Sequence, residues 1–150
     1  MKFEILKDKI DTLLFQKNTI GVKLQAICDL LEREILHYDW VGFYFKNGDK
    51  NELKLAQYTG EETEHTIIPF GKGICGQVAV TNKNFVVQDV SEQENYISCG
   101  WKVKSEIVIP IFVNEENVGQ IDIDSHTANI FSADDEEFLE FICKKVAKIL

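Results

Sequence analysis

Two thiols stand where the chain turns on glycine: Cys75 in Pro69-Phe-Gly-Lys-Gly-Ile-Cys-Gly76 and Cys99 in Asn95-Tyr-Ile-Ser-Cys-Gly100. A thiol held in a loop is open to nucleophilic and redox chemistry, whereas one on the apolar face of a helix usually is not. Cys75 also falls near the expected start of a short helix. There, unpaired backbone N–H groups and the positive end of the helix dipole favour thiolate, and Lys72 adds a nearby positive charge. Lys102 and Lys104 would favour thiolate at Cys99 if they fold back towards it. The alternative is a pair of buried, unreactive loop cysteines.

A second group is acidic. In Gln120-Ile-Asp-Ile-Asp124 the two-residue strand period puts Asp122 and Asp124 on one face and Ile121 and Ile123 on the other. Two like charges so placed repel unless a cation stands between them. Glu106, on the expected partner strand, joins them if the hairpin register allows, since a slip by one residue turns it away. Three carboxylates around a pocket suit a ligand ammonium group; a solvated strand face is the plainer reading. A third group is aromatic, with Trp40, Tyr44 and Trp101 able to wall a pocket for an apolar or thioether group, although such a stripe more often belongs to a core. A metal site from Cys75, Cys99 and His65 lacks ligand spacing, and none is expected.

These residues need elements to hold them. Leu24, Ile27, Cys28, Leu31 and Ile35 recur at helical spacing, predicting a helix with one buried stripe, set off by Gly21 from a shorter leading helix. Trp40-Val-Gly-Phe-Tyr-Phe45 and Glu52-Leu-Lys-Leu-Ala-Gln-Tyr58 flank Asn47-Gly48, the signature of a β-hairpin. A strand over residues 64–68, a short helix from Gly71 and a brief strand over residues 84–88 follow. Glu106-Ile-Val-Ile-Pro-Ile-Phe-Val113 and Val118-Gly-Gln-Ile-Asp-Ile-Asp124 form a second hairpin through Asn114-Glu-Glu-Asn117, with Pro110 at an edge-facing or irregular position. A last helix from about Ala133 presents Phe138, Phe141, Ile142, Val146 and Ile149, with Cys143 beside that face. This order predicts an α+β fold: an antiparallel sheet with the terminal helices on one face and the loops covering a pocket on the other.

The chain has 150 residues, 45% of them hydrophobic, which is material for one domain over residues 1–150. A net charge of −9 argues against binding to the phosphate backbone of nucleic acids. No run is apolar enough to span a bilayer, and the charged start of the chain predicts a cytoplasmic protein. Four cysteines without a C-x-x-C pair exclude a zinc ribbon or thioredoxin-type motif, so any disulfide is expected to be transient.

Asp39-Trp-Val-Gly-Phe-Tyr44, Ile68-Pro-Phe-Gly-Lys-Gly-Ile-Cys-Gly76, Tyr96-Ile-Ser-Cys99, Ser105-Glu-Ile-Val-Ile-Pro110 and Gly119-Gln-Ile-Asp-Ile-Asp-Ser125 together resemble the single-domain GAF proteins that are free methionine-(R)-sulfoxide reductases. The resemblance implies the GAF fold, PAS-like, with a six-stranded antiparallel sheet, and often a homodimer. It implies Cys99 as the nucleophile on the sulfoxide sulfur and Cys75 as a partner that resolves the sulfenic acid to a disulfide, with thioredoxin as reductant. It further implies Glu106, Asp122 and Asp124 around the ammonium group and the departing oxygen, Trp40 and Tyr44 near the methyl-sulfoxide end, and no metal or organic cofactor. His65 stands where the family usually carries a further cysteine, and Gly100-Trp-Lys-Val-Lys104 replaces the usual aspartate and small residues. The rival is a GAF sensor that binds an amino-acid-like or nucleotide ligand without chemistry. Phe131-Ser-Ala-Asp-Asp-Glu136 matches half of the cyclic-nucleotide motif, but Ser132 and Asp135 also make a helix-capping box.

Overall fold

Thr19 begins the first long helix: its hydroxyl accepts the Val22 N–H at 3.2 Å, satisfying one of the donors a helix start leaves unpaired. In the computed structural model, which describes residues 2–96 and 102–150, this helix is α2, Ile20–Glu34, and it follows α1, Lys2–Phe15. The break between them falls at residues 16–19, so Gly21 lies inside the first turn of α2 instead of separating the helices. Leu24, Ile27, Cys28 and Leu31 are buried as their spacing requires.

The strands are β1 (Trp40–Lys46), β2 (Glu52–Thr59), β3 (Ile67–Pro69), β4 (Phe85–Val87), β5 (Ser105–Val113) and β6 (Glu116–Ser125). They pair antiparallel in the spatial order β3-β2-β1-β6-β5-β4. β3 starts later than the expected 64–68, because Thr66 and the residues before it remain in the connection. The second hairpin turns on two residues rather than four: Asn114 (φ 51°) and Glu115 (φ 67°) are both left-handed, and Val113 pairs with Glu116. β4 meets β5 only along residues 106–108, which leaves Pro110 past its end, where a missing ladder donor breaks no strand pairing to β4.

Two further helices complete the fold. α3, Gly73–Thr81, packs on one face of the sheet, and α4, Ala133–Ala147, packs on the other beside α1 and α2. α4 starts with the expected capping box, in which Asp135 N–H donates to Ser132 Oγ at 3.3 Å and Ser132 N–H donates to Asp135 Oδ2 at 2.8 Å. It buries Leu139 and Cys143 along with Phe138, Ile142 and Val146, while Phe141 stays half-buried beneath the ammonium groups of Lys7 and Lys145.

The sheet therefore separates two cores. On the helical side Val41, Phe43, Ile107, Ile109, Ile121 and Ile123 meet Leu24, Leu31, Phe138 and Ile142. On the other side a smaller group of Tyr44, Leu53, Ile68, Ile74, Val78 and Val108 gathers under α3. Among the described residues no helix is long and apolar enough to cross a membrane.

Candidate active site

Strand alternation decides which side chains meet under α3. With Ile121 and Ile123 committed to the helical core, Gln120, Asp122 and Asp124 must point to the α3 side. The register brings Glu106 opposite Asp124, and Trp40 pairs with Asp124 from the other flank. Trp40, Asp124 and Glu106 thus form one cross-strand row. Gly42, Asp122 and Val108 form the next, and Tyr44, Gln120 and Pro110 the third.

The acids do not lie on a solvated strand face: Glu106, Asp122 and Asp124 are 5%, 2% and 2% exposed. Burial raises the Asp122 pKa above the ordinary carboxylate range, with hydrogen bonds to Glu106 and Cys75 pulling the other way. Asp124 is likewise pushed up, first by burial and then by the negative charge of Asp122. Asp122 Oδ1, Asp124 Oδ1 and Gln120 Oε1 are buried and receive no hydrogen bond among the described residues.

Cys75 differs from expectation. It lies in the first turn of α3, as its place near the expected helix start implied, but it is 4% exposed and so not open as a loop thiol would be. Its Sγ lies 3.3 Å from Asp122 Oδ2 and 3.8 Å from Glu106 Oε2. The helix terminus and Lys72 do not prevail here. Burial first, then the charges of Asp122 and Glu106, push the thiol well above its ordinary pKa and keep it protonated. Cys28 and Cys143 are likewise buried with raised pKa values, chiefly through desolvation; Cys28 sits in the helical core as its spacing implied, and Cys143, expected beside the apolar face of its helix, joins that core too.

The entry to α3 is fixed by backbone that only glycine adopts readily. Gly71 (φ 87°) and Gly73 (φ 63°) turn the chain so that Gly71 N–H reaches Gly76 O at 2.8 Å. Asn95 clamps the same turn, donating from Nδ2 to Gly71 O at 2.7 Å and accepting the Gly73 N–H at 3.0 Å. Gln120 supports α3 from below, its Nε2 donating to Cys75 O at 3.1 Å. Sequence reasoning missed Asn95 and Gln120. Gln120 was open to discovery because it shares the parity of Asp122 and Asp124; Asn95 acts across distant parts of the chain and left no local signal.

The aromatic wall is present. Trp40 stacks on Tyr58 with ring centroids 5.5 Å apart, and its Nε1 donates to Glu61 O at 3.0 Å. The indole lies over Gly42, where a Cβ would come within 2.3 Å of Trp40 Cη2. Tyr44 is buried and its hydroxyl donates to His65 O at 2.9 Å. A small cavity of about 10 Å³, the room of one water molecule, is lined by Tyr44, His65, Lys72, Cys75, Glu106 and Asp122 among others. Cys99, together with Trp101 and the rest of residues 97–101, lies outside the described residues. Lys102 pairs with Glu61 at 3.4 Å.

Comparison with known proteins follows the same line. The GAF domain model matches residues 21–150. The chain is 38% identical to the free methionine-R-sulfoxide reductase of Saccharomyces cerevisiae, over 73% of this chain and 62% of that protein. Among solved structures it is similar to the type II free methionine-R-sulfoxide reductase from Thermoplasma acidophilum, with 35% identity, a TM-score of 0.83 and coverage of 87% and 91% of the two chains. It is also similar to the free methionine-R-sulfoxide reductase from Neisseria meningitidis solved with its substrate, with 29% identity, a TM-score of 0.92 and coverage of 98% and 87%.

Proposed function

The chain belongs to the GAF domain family and, within it, to the free methionine-R-sulfoxide reductases, and on that premise we propose that it reduces free methionine (R)-sulfoxide in the pocket beneath α3. One observation carries this reading: three carboxyl groups, Glu106, Asp122 and Asp124, are buried on one face beside a thiol and next to Trp40 and Tyr44. A buried carboxyl group that keeps its proton near neutral pH can protonate a sulfoxide oxygen as it departs, and one that has lost its proton can hold an ammonium group. The acid set thus suits both ends of a free amino acid, and the aromatic wall suits its thioether portion.

Cys99 is the nucleophile in this reading, a role that rests on the family resemblance. Its sulfur bonds to the sulfoxide sulfur, the sulfoxide oxygen is protonated by the acid cluster, and oxygen transfer leaves methionine and a Cys99 sulfenic acid, so the substrate is reduced by two electrons and the thiol oxidised by two. Cys75 resolves the sulfenic acid. Its sulfur displaces hydroxide, which leaves as water with the thiol proton passed through Asp122, and a disulfide forms. Thioredoxin, a dithiol, then exchanges with that disulfide in the cytoplasm and restores both thiols. The raised pKa of Cys75 makes resolution dependent on proton removal by its acidic neighbour.

Methionine release from free Met-(R)-sulfoxide tests the reading, with wild type, Cys99→Ser and Cys75→Ser compared with and without thioredoxin. Wild type is expected to turn over, Cys99→Ser to release nothing, and Cys75→Ser to release one equivalent and stall with thioredoxin alone. Failure of the wild type to release even one equivalent refutes the reductase, and retained binding of the sulfoxide would then identify a sensor.

A further inference from the structure

Beneath α3 the residues that the reductase reading uses for acid chemistry and resolution also form a metal donor set, a use which that reading does not require. Cys75 Sγ, one Glu106 oxygen and one Asp122 oxygen all lie within 4.8 Å of one another, and all three residues are buried. Cys75 Sγ stands 3.3 Å from Asp122 Oδ2 and 3.8 Å from Glu106 Oε2. In a tetrahedral zinc site with a Zn–S bond of about 2.3 Å and Zn–O bonds of about 2.0 Å, sulfur and oxygen ligands sit about 3.5 Å apart. The two observed separations bracket that value.

A second observation points to a cation independently of the clustering. Asp122 lines the cavity and is 2% exposed, yet its Oδ1 receives no hydrogen bond among the described residues. A buried carboxylate oxygen without a donor is costly, and a bound dication relieves that cost. His65 also lines the cavity, its backbone carbonyl accepting the Tyr44 hydroxyl, and the donor set itself is Cys75, Glu106 and Asp122. Sulfur beside carboxylate oxygen suits a borderline-soft ion such as Zn²⁺ and disfavours the hard, all-oxygen ions Mg²⁺ and Ca²⁺.

From this geometry we propose that the protein binds one zinc ion per chain through Cys75, Glu106 and Asp122. Binding displaces the Cys75 thiol proton to solvent and ties up the sulfur as a metal thiolate, with no change in oxidation state. Zinc therefore occupies the wall of the pocket and withdraws Cys75 from disulfide exchange, which makes the site a reversible stop on the redox cycle. The metal site goes beyond the reductase reading and stands on the donor set alone.

The test titrates Zn²⁺ into the full, reduced, metal-free chain against a competing chelator dye. Wild type is expected to bind one ion, and Cys75→Ser and Asp122→Asn each to weaken binding by at least about a hundredfold, more than the loss of an outer-shell partner usually causes. Should either variant fail to fold, Co²⁺ added to Cys99→Ser decides: a thiolate-to-cobalt charge-transfer band in the near ultraviolet supports Cys75 as ligand. Absence of that band, no zinc bound by the wild type, or full affinity in a folded Cys75→Ser variant overturns the proposal. Zinc binding in a chain that releases no methionine without metal refutes the reductase and leaves the metal site standing, so the two readings fail separately.

Discussion

Replacing Asp124 with asparagine should make the protein more stable and its pocket worse. Asp124 is 2% exposed, and burial followed by the Asp122 charge pushes its pKa well above the ordinary value. Between about pH 4, where aspartate in an unfolded chain ionises, and its raised folded value, the native chain holds a proton that the unfolded chain has released. The unfolded state then binds fewer protons, so stability falls as pH rises: the contribution is fully present below the unfolded pKa and lost as pH climbs through the folded one. Each such group contributes a slope of about −1.4 kcal/mol per pH unit inside its window. Asp122 is shifted in the same direction, so it steepens the fall where the two windows overlap. Asparagine keeps the shape and removes one of the two groups. The stability advantage of Asp124→Asn should therefore grow by about 1.4 kcal/mol for each pH unit across the window, read by urea unfolding at several values between about pH 5 and about pH 8. A stability difference that stays constant over that range refutes the assignment of a raised pKa to Asp124. In the same variant the KM for the sulfoxide should rise about tenfold or more, since asparagine has no proton to give up and cannot become the charged partner that a bound ammonium group draws out of Asp124.

Gly42→Ala would place a Cβ 2.3 Å from Trp40 Cη2, so the indole must leave its stack on Tyr58. A loss of about 1–3 kcal/mol on urea unfolding and a higher KM are expected, and an unchanged KM would remove Trp40 from the pocket. Tyr44→Phe gives up the hydrogen bond to His65 O and should cost about 1 kcal/mol, measured by the same unfolding experiment. Ser132→Ala removes the cap of α4 and should lower stability by about 1 kcal/mol with kcat/KM unchanged, because α4 packs on the face of the sheet away from the pocket.

The two-residue alternation of Gln120 to Asp124 made the two faces legible, isoleucines on one and aspartates on the other, but not that the acids are buried: a solvated face was the plainer reading, and only the cover of α3 overturns it. The place of Glu106 was conditional on register, and the pairing with Asp124 supplied the missing condition. Cys75 was misread for a definable reason. A local argument from a helix terminus and one lysine predicts thiolate, but the carboxyl groups that decide its protonation arrive from strands 31 and 47 residues away in the sequence. The four-residue turn expected in the second hairpin failed on a smaller point: Asn114 and Glu115 both adopt positive φ, which asparagine advertises and glutamate does not.

Because the sheet is sealed on one side by the larger helical core and on the other by the smaller group beneath α3, the two halves hold unequal reserves against local opening. Amide protons of α3 and its glycine turn should therefore exchange before those of α2 and α4, read by native-state hydrogen exchange. Opening around Cys75 without loss of the helical scaffold is the expected consequence, and equal exchange rates in α3 and α4 would refute it.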